Sequence, residues 1–171
     1  NKVKYVFSNW DNIPSEVTSI CNVYATYDTY WAARFWNDNE LYRVAYILNG
    51  TDVPAPKDYF DNYVNPTKES TAQYDFHFSN WSGDFGAITE TRDYYAVYSN
   101  TTRRYTVYFY NGEYLLQTVE NVPYGTSIKY TGATPVKTGV DNPEEYIFKD
   151  FIPAAESITG DTKCYALFKF T

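Results

Sequence analysis

Few side chains in this sequence have the types and spacing that chemistry requires. His77 is the only histidine. It sits in "FHFSNW" between Phe76 and Phe78, where it is expected on the face opposite the core aromatics, and spacing brings no nucleophile or base beside it. Asp38 and Glu40 in "NDNE", and Asp58 and Asp61 in "KDYFDN", offer oxygen ligands of the kind calcium takes. Neither stretch has the dense ligand spacing and obligate glycine of an EF-hand loop, so turn chemistry accounts for the first and a solvated helix face for the second. Glu144 and Glu145 are adjacent, and on extended chain their side chains point apart, whereas glycoside hydrolysis needs two carboxyls facing one substrate about 5 to 9.5 Å apart. The reading is a non-enzyme with no catalytic residues, no metal site and no cofactor. Sequons at Asn49, Asn80 and Asn100 matter only in a eukaryotic secretory path.

Composition narrows the class. The chain has 171 residues with 20 Tyr, 11 Phe and no Met, and aromatics make up 20% of it. Such residues favour pleated, half-buried surfaces, so a β-dominated fold is expected. The formal charge of -7 leaves no basic footprint for a phosphate backbone or an anionic membrane surface. Nucleic acid is therefore not an expected partner, and no apolar run is long enough for membrane insertion. Cys21 and Cys164 fall in different parts of the repeat described next, so free or buried thiols are expected rather than a disulfide. The chain opens on neither Met nor a signal peptide, and is expected to be a processed piece of something longer.

The elements that would position any site follow from an internal repeat. "YVFSNW" (5–10), "FHFSNW" (76–81) and "YIFKDF" (146–151) share the order aromatic, any, Phe, polar, Asn or Asp, aromatic. Fourteen residues beyond each last aromatic come "YATY", "YAVY" and "YALF", since 24 − 10, 95 − 81 and 165 − 151 all equal 14. Two patterns holding one spacing three times mark a repeat with a period of 70 to 71 (81 − 10 = 71, 151 − 81 = 70). Period-two aromatics place Phe78 and Phe148 on the core face of a strand. Asn9, Asn80 and Asp150 predict a bend or bulge that folds Trp10, Trp81 and Phe151 back over the sheet. Tyr95 and Tyr165, opening the second pattern, complete the expected repeat core.

Upstream, "RFWNDNELYRVAY" (34–46) and "YFYNGEYLLQTV" (108–119) read as β-hairpins, with Asn111-Gly112 the sharper turn signal. The stretches that follow are interrupted by prolines and read as loops, with one or two helical turns at 57–63. The expected division is a truncated C-terminal half-module at 1–30, a full module at 31–98 and another at 104–171, with polar "SNTTRR" (99–104) as a linker. Tyr30 and Trp31 are expected to lock the first junction. The surplus aromatics Tyr42, Tyr59, Phe60, Tyr63, Tyr94 and Tyr110 exceed what so small a core must bury. Of these, Tyr42, Tyr59 and Tyr63 are the candidate ligand-binding face, for sugar stacking or protein contact.

These residues resemble the Listeria-Bacteroides repeat, the internalin B-repeat of bacterial surface proteins. That pattern runs aromatic-x-Phe-x-Gly-Trp, then Thr-x-Asp-Thr, then Tyr-Ala-x-aromatic. "YVFSNWD", "VTSICNVYATY", "ITGDTKCYALF", "YGT" (124–126), "PTK" (66–68) and "PVK" (135–137) follow it, across nearly the whole chain. Here the motif glycine is Asn9, Asn80 or Asp150, Phe151 replaces the last Trp, and Thr-x-Asp-Thr is intact only at 159–162. The resemblance implies a β-rich α+β fold of tandem β-grasp-like modules, each a small mixed sheet with a short helix or loop crossover. It implies a structural or adhesive array, a stalk or display module of a bacterial surface protein. The alternatives are a phage virion appendage and a binding module that uses exposed tyrosines. Expected partners are further repeats of the parent chain, a host or cell-surface protein or glycan, or other virion subunits, and the expected location is the cell surface, the extracellular space or a virion.

Overall fold

The computed structural model describes residues 2–171. The described chain forms nine strands: β1 (Val3–Asp11), β2 (Tyr24–Asn37), β3 (Glu40–Leu48), β4 (Tyr74–Ser82), β5 (Arg92–Thr102), β6 (Arg104–Asn111), β7 (Tyr114–Pro123), β8 (Tyr146–Ile152) and β9 (Thr162–Phe170). A single turn of helix, α1 (Pro56–Tyr59), follows β3, and a 3-10 turn (Pro143–Glu145) precedes β8. The chain divides into two compact units. The first runs from the N-terminus to Lys68 and takes in His77–Ser99, while the second is Glu69–Phe76 with Asn100–Thr171.

In the first unit the strand order is β1-β2-β5-β4, with β3 on β2. β1 pairs antiparallel with the first half of β2, from Asp11↔Tyr24 to Val3↔Trp31. β3 pairs antiparallel with the second half, from Tyr30↔Leu48 to Asn37↔Glu40. β5 lies parallel to β2 over Ala33↔Arg92 to Trp36↔Tyr95. The sheet of the second unit has the order β7-β6-β9-β8, with β6 parallel to β9 over Val107↔Thr162 to Tyr110↔Tyr165. Both hairpins turn where the sequence places Asn, Asp and Gly. Asp38 adopts φ 50° and Gly112 φ 61°, the left-handed conformation that tight hairpins demand.

The α+β expectation of tandem β-grasp-like modules is overturned. Strand accounts for 52% of the chain and helix for 4%, in two separate mixed sheets. Between β3 and β4 the chain makes only one helical turn: Pro56 starts α1, the chain leaves the helix at extended Phe60, and Asn62 turns left-handed ahead of Pro66. In the second unit the stretch between β7 and β8 contains only the 3-10 turn.

Two aromatic cores result. In the first, Phe35 stacks on Tyr94 (centroids 4.8 Å apart, planes at 20°) and meets Trp81 edge-on at 5.2 Å, among Ala33, Ala45, Ile47, Val53 and Ile88. In the second, Phe109 meets Phe151 edge-on at 4.8 Å among Val107, Val122, Ala155, Ile158 and Cys164. Trp81 and Phe151 are buried, and Phe78 and Phe148 pack half-buried against the respective clusters. Trp10, Tyr95 and Tyr165 are corrections to the expected core, because all three are exposed. For the two tyrosines the phase is wrong by one residue. Tyr94 and Cys164 point inward and their successors outward, as strand alternation requires. Trp10 is exposed because the β2–β3 hairpin pairs along the other half of β2.

Tyr30 and Trp31 lie inside the continuous strand β2 and not at a junction between modules. Trp31 packs against the first core and donates its indole N–H to Asn49 Oδ1 at 2.9 Å. The expected linker is strand as well. β5 continues through Thr102, β6 begins at Arg104, and Arg103 donates its backbone N–H to the Gln73 carbonyl at 2.9 Å. No helix among the described residues is long and apolar enough to cross a membrane.

Candidate functional site

Two of the bulges that the sequence predicts are in the ladders of β1 and β8. The ladder slips between Phe7 and Asn9 in β1 and between Phe148 and Asp150 in β8. At each slip a backbone N–H loses its ladder partner, and the Asx side chain supplies another. Trp10 donates its N–H to Asn9 Oδ1 and Phe151 donates to Asp150 Oδ1, both at 2.8 Å. Neither Asn9 nor Asp150 has positive φ. The left-handed positions fall beyond the aromatic, at Asn12 (φ 62°) and Gly83 (φ 130°). The turn after the bulge, more than the bulge itself, sends the chain back over the sheet.

Each unit has a cleft beside the strand that carries its buried motif ring, Trp81 of β4 or Phe151 of β8. The first, of about 320 Å³, has Phe78 and Trp81 as its floor, Tyr63 and Phe85 on its walls, and Pro56 and Lys57 at its edge. Trp81 Nε1–H donates to Tyr63 Oη at 3.0 Å, and burial raises the Tyr63 pKa above its ordinary value. The second cleft, of about 370 Å³, is lined by Phe148, Phe151 and Tyr130, with Lys129, Asp150 and Glu156 at its rim. Tyr130 and Phe151 stand 4.9 Å apart. Flat rings and scattered single polar groups suit stacking and hydrogen bonding.

Of the expected tyrosine face, Tyr42 and Tyr63 both lie against Trp81, Tyr42 with ring centroids 6.0 Å apart and Tyr63 through its hydroxyl. Tyr42 is half-buried against the first core and donates its hydroxyl to the Val64 carbonyl at 2.5 Å. Tyr63 is held by Trp81, and only Tyr59 is exposed, its ring edge-on to Phe60 at 4.9 Å. His77 and the pair Glu144 and Glu145 are exposed. Asp38 takes an ion pair from Lys68 at 3.0 Å in the hairpin turn, and Asp58 sits in the first turn of α1. Among the described residues no group of three or more His, Cys, Asp or Glu stands together as metal ligands do.

Sequence reasoning missed three features. Phe35 and Phe109 are the ring centres of the two cores, a role signalled by the inward phase they share with Ala33 and Val107. Tyr130 sits in a loop with no periodicity to mark it. The trio Arg34, Asp93 and Trp36 joins residues far apart in the chain and exists only through the parallel pairing of β2 with β5. Comparison of the chain with known protein families, with curated proteins and with solved structures finds no match.

Proposed function

We propose that the chain is a non-enzymatic structural or adhesive segment of a larger surface-exposed protein, as the resemblance to the Listeria-Bacteroides repeat implies. One observation carries the reading. The aromatic pattern recurring in the sequence recurs as the same local object: Phe7–Trp10, Phe78–Trp81 and Phe148–Phe151 have centroids 5.5, 5.5 and 5.2 Å apart with planes at 59°, 60° and 61°. A sequence that spends its aromatics on rebuilding one small packed object is suited to spacing and display. The test is immunogold labelling of intact source cells and of virions with an antibody raised against this chain. Label on the outer surface of either is the expected result, and label that appears only after permeabilisation overturns the reading.

A second reading, a glycan- or protein-binding module, is favoured by the cleft over Phe78 and Trp81. Its test is a glycan array probed with the native chain and with Tyr59→Ala and Tyr63→Phe. Saturable binding weakened by either substitution supports it, and a flat response removes it.

A further inference from the structure

The ring cluster of β1 and β2 is built like its two counterparts but lacks their cover. Phe7 meets Tyr27 edge-on at 6.2 Å and 82°, as Phe78 meets Tyr98 at 6.0 Å and 79° and Phe148 meets Phe168 at 6.0 Å and 72°. Trp81 and Phe151 are 8% and 6% exposed, whereas Trp10 is 51% exposed. Seven residues further on the contrast repeats: Ile88 and Ile158 are 0% and 2% exposed, and Val17 is 71% exposed.

The other two clusters are each covered by a hairpin and the turn that follows it. In each, a β-hairpin supplies a phenylalanine against the indole or ring, Phe35 on Trp81 and Phe109 on Phe151. The Gly-Thr after the hairpin then clasps the isoleucine backbone from both sides. Gly50 N–H donates to the Ile88 carbonyl at 2.7 Å and Ile88 N–H to the Thr51 carbonyl at 2.9 Å. Gly125 and Thr126 do the same with Ile158, at 2.7 and 3.0 Å. The hairpin's first strand runs parallel to Arg92–Tyr95 or Thr162–Tyr165, four residues that end on the Tyr fourteen beyond the ring (95 − 81 = 14, 165 − 151 = 14). By the same count the site beside Trp10 ends at Tyr24 and begins at Cys21, in chain that lies outside any strand until Tyr24.

We propose that the exposed face of Phe7, Trp10, Val17 and Tyr27 is a docking site for a β-hairpin of the type that β2–β3 and β6–β7 form. The hairpin adds its first strand parallel to 21–24, sets a phenylalanine on Trp10, and clasps Val17 through a following Gly-Thr. Main-chain pairing supplies affinity and the aromatic contact supplies selectivity, as in other strand-addition interfaces. The inference stands independently of the surface-display reading.

The test titrates the full chain with a synthetic peptide of residues 33–53, cyclised so that the hairpin is formed before binding. Amide exchange at Val17 and Val23, and reaction of the Cys21 thiol, are followed. The expected result is saturable protection at all three positions, with exchange slowed at least tenfold. Binding is expected to weaken tenfold or more for the chain variants Trp10→Ala or Val17→Asp, and for a peptide carrying Phe35→Ala. Absence of saturation at millimolar peptide, protection indifferent to both chain variants, or a dimer of the unliganded chain that itself protects Val17 would overturn the proposal.

Discussion

Arg34 and Asp93 face each other across the parallel pairing of β2 and β5, joined by two hydrogen bonds of 2.7 Å from Nε and Nη2 to the two carboxylate oxygens. Trp36 Nε1–H adds a third at 2.8 Å. A fork-to-fork pair fixes register as well as charge, so it marks which residue of β5 lies beside which residue of β2. The hydrogen bond from Arg34 is the main reason the Asp93 pKa is lowered, with that from Trp36 contributing against desolvation.

A lowered carboxylate pKa means that the folded chain binds the proton less readily than the unfolded chain. The pair's contribution is therefore present above the ordinary Asp range near pH 4 and is lost as pH falls through the lower folded value. Both side chains are partly exposed, which limits the effect to about 1 kcal/mol. Asp93→Asn is expected to lower the urea midpoint at pH 7. The native chain's advantage over the variant should shrink as the pH is taken well below 4. An equal gap at both pH values would exclude this origin.

Gly83 is the sharpest backbone requirement in the first unit. Its φ is 130°, and a Cβ added there would lie 2.7 Å from Tyr94 Cδ1, in a ring that is itself fully buried. Gly83→Ala combines conformational strain with that clash, and a loss of at least about 2 kcal/mol is expected in chemical denaturation. Gly50 also has positive φ but open space around it, so Gly50→Ala should cost less, through strain alone.

Two tryptophans of the same motif should behave oppositely. Trp81→Ala removes a ring packed on Phe35 and Phe78 and should cost about 3 to 5 kcal/mol. Trp10→Ala removes a half-exposed ring and should change stability by only about 0.5 to 1 kcal/mol. Thermal unfolding of the two variants decides the matter, and equal losses would contradict the exposure of β1.

The two cysteines are both free, Cys21 exposed and Cys164 buried, and desolvation raises the Cys164 pKa. At pH 8 one thiol per chain is expected to react promptly with an aromatic disulfide reagent and the second only on unfolding. Cys21→Ser should abolish the prompt reaction and leave the slow one.

Much of this architecture was legible because it is local. Alternating aromatics, Asn111-Gly112 and the Asx positions each act over a few residues; strands and the β6–β7 hairpin stand at those signals, and the ladders slip at Asn9 and Asp150. Phase was harder. In "DYYAVY" and "TKCYALF" several residues in a row can face the core, and only the partner strand decides that Tyr94 and Cys164 go in while Tyr95 and Tyr165 stay out. Cover was harder still. The motif itself is the same around Trp10 and Trp81, and a large part of the difference in cover lies in where a distant hairpin pairs. The α+β expectation failed because it rested on resemblance and not on propensity, and the stretch between β3 and β4 forms only the single turn Pro56–Tyr59.

In the second unit the run from β6 to β9 begins and ends on strands that lie side by side and parallel, in register from Val107↔Thr162 to Tyr110↔Tyr165. Tension applied through those ends drags the strands lengthwise past each other, so their bridging bonds bear the load together and must rupture at once. The β1–β2 hairpin, gripped at its open end, would instead unzip one rung at a time. A tether carrying both would yield in two stages, giving length cheaply at first and then holding firm.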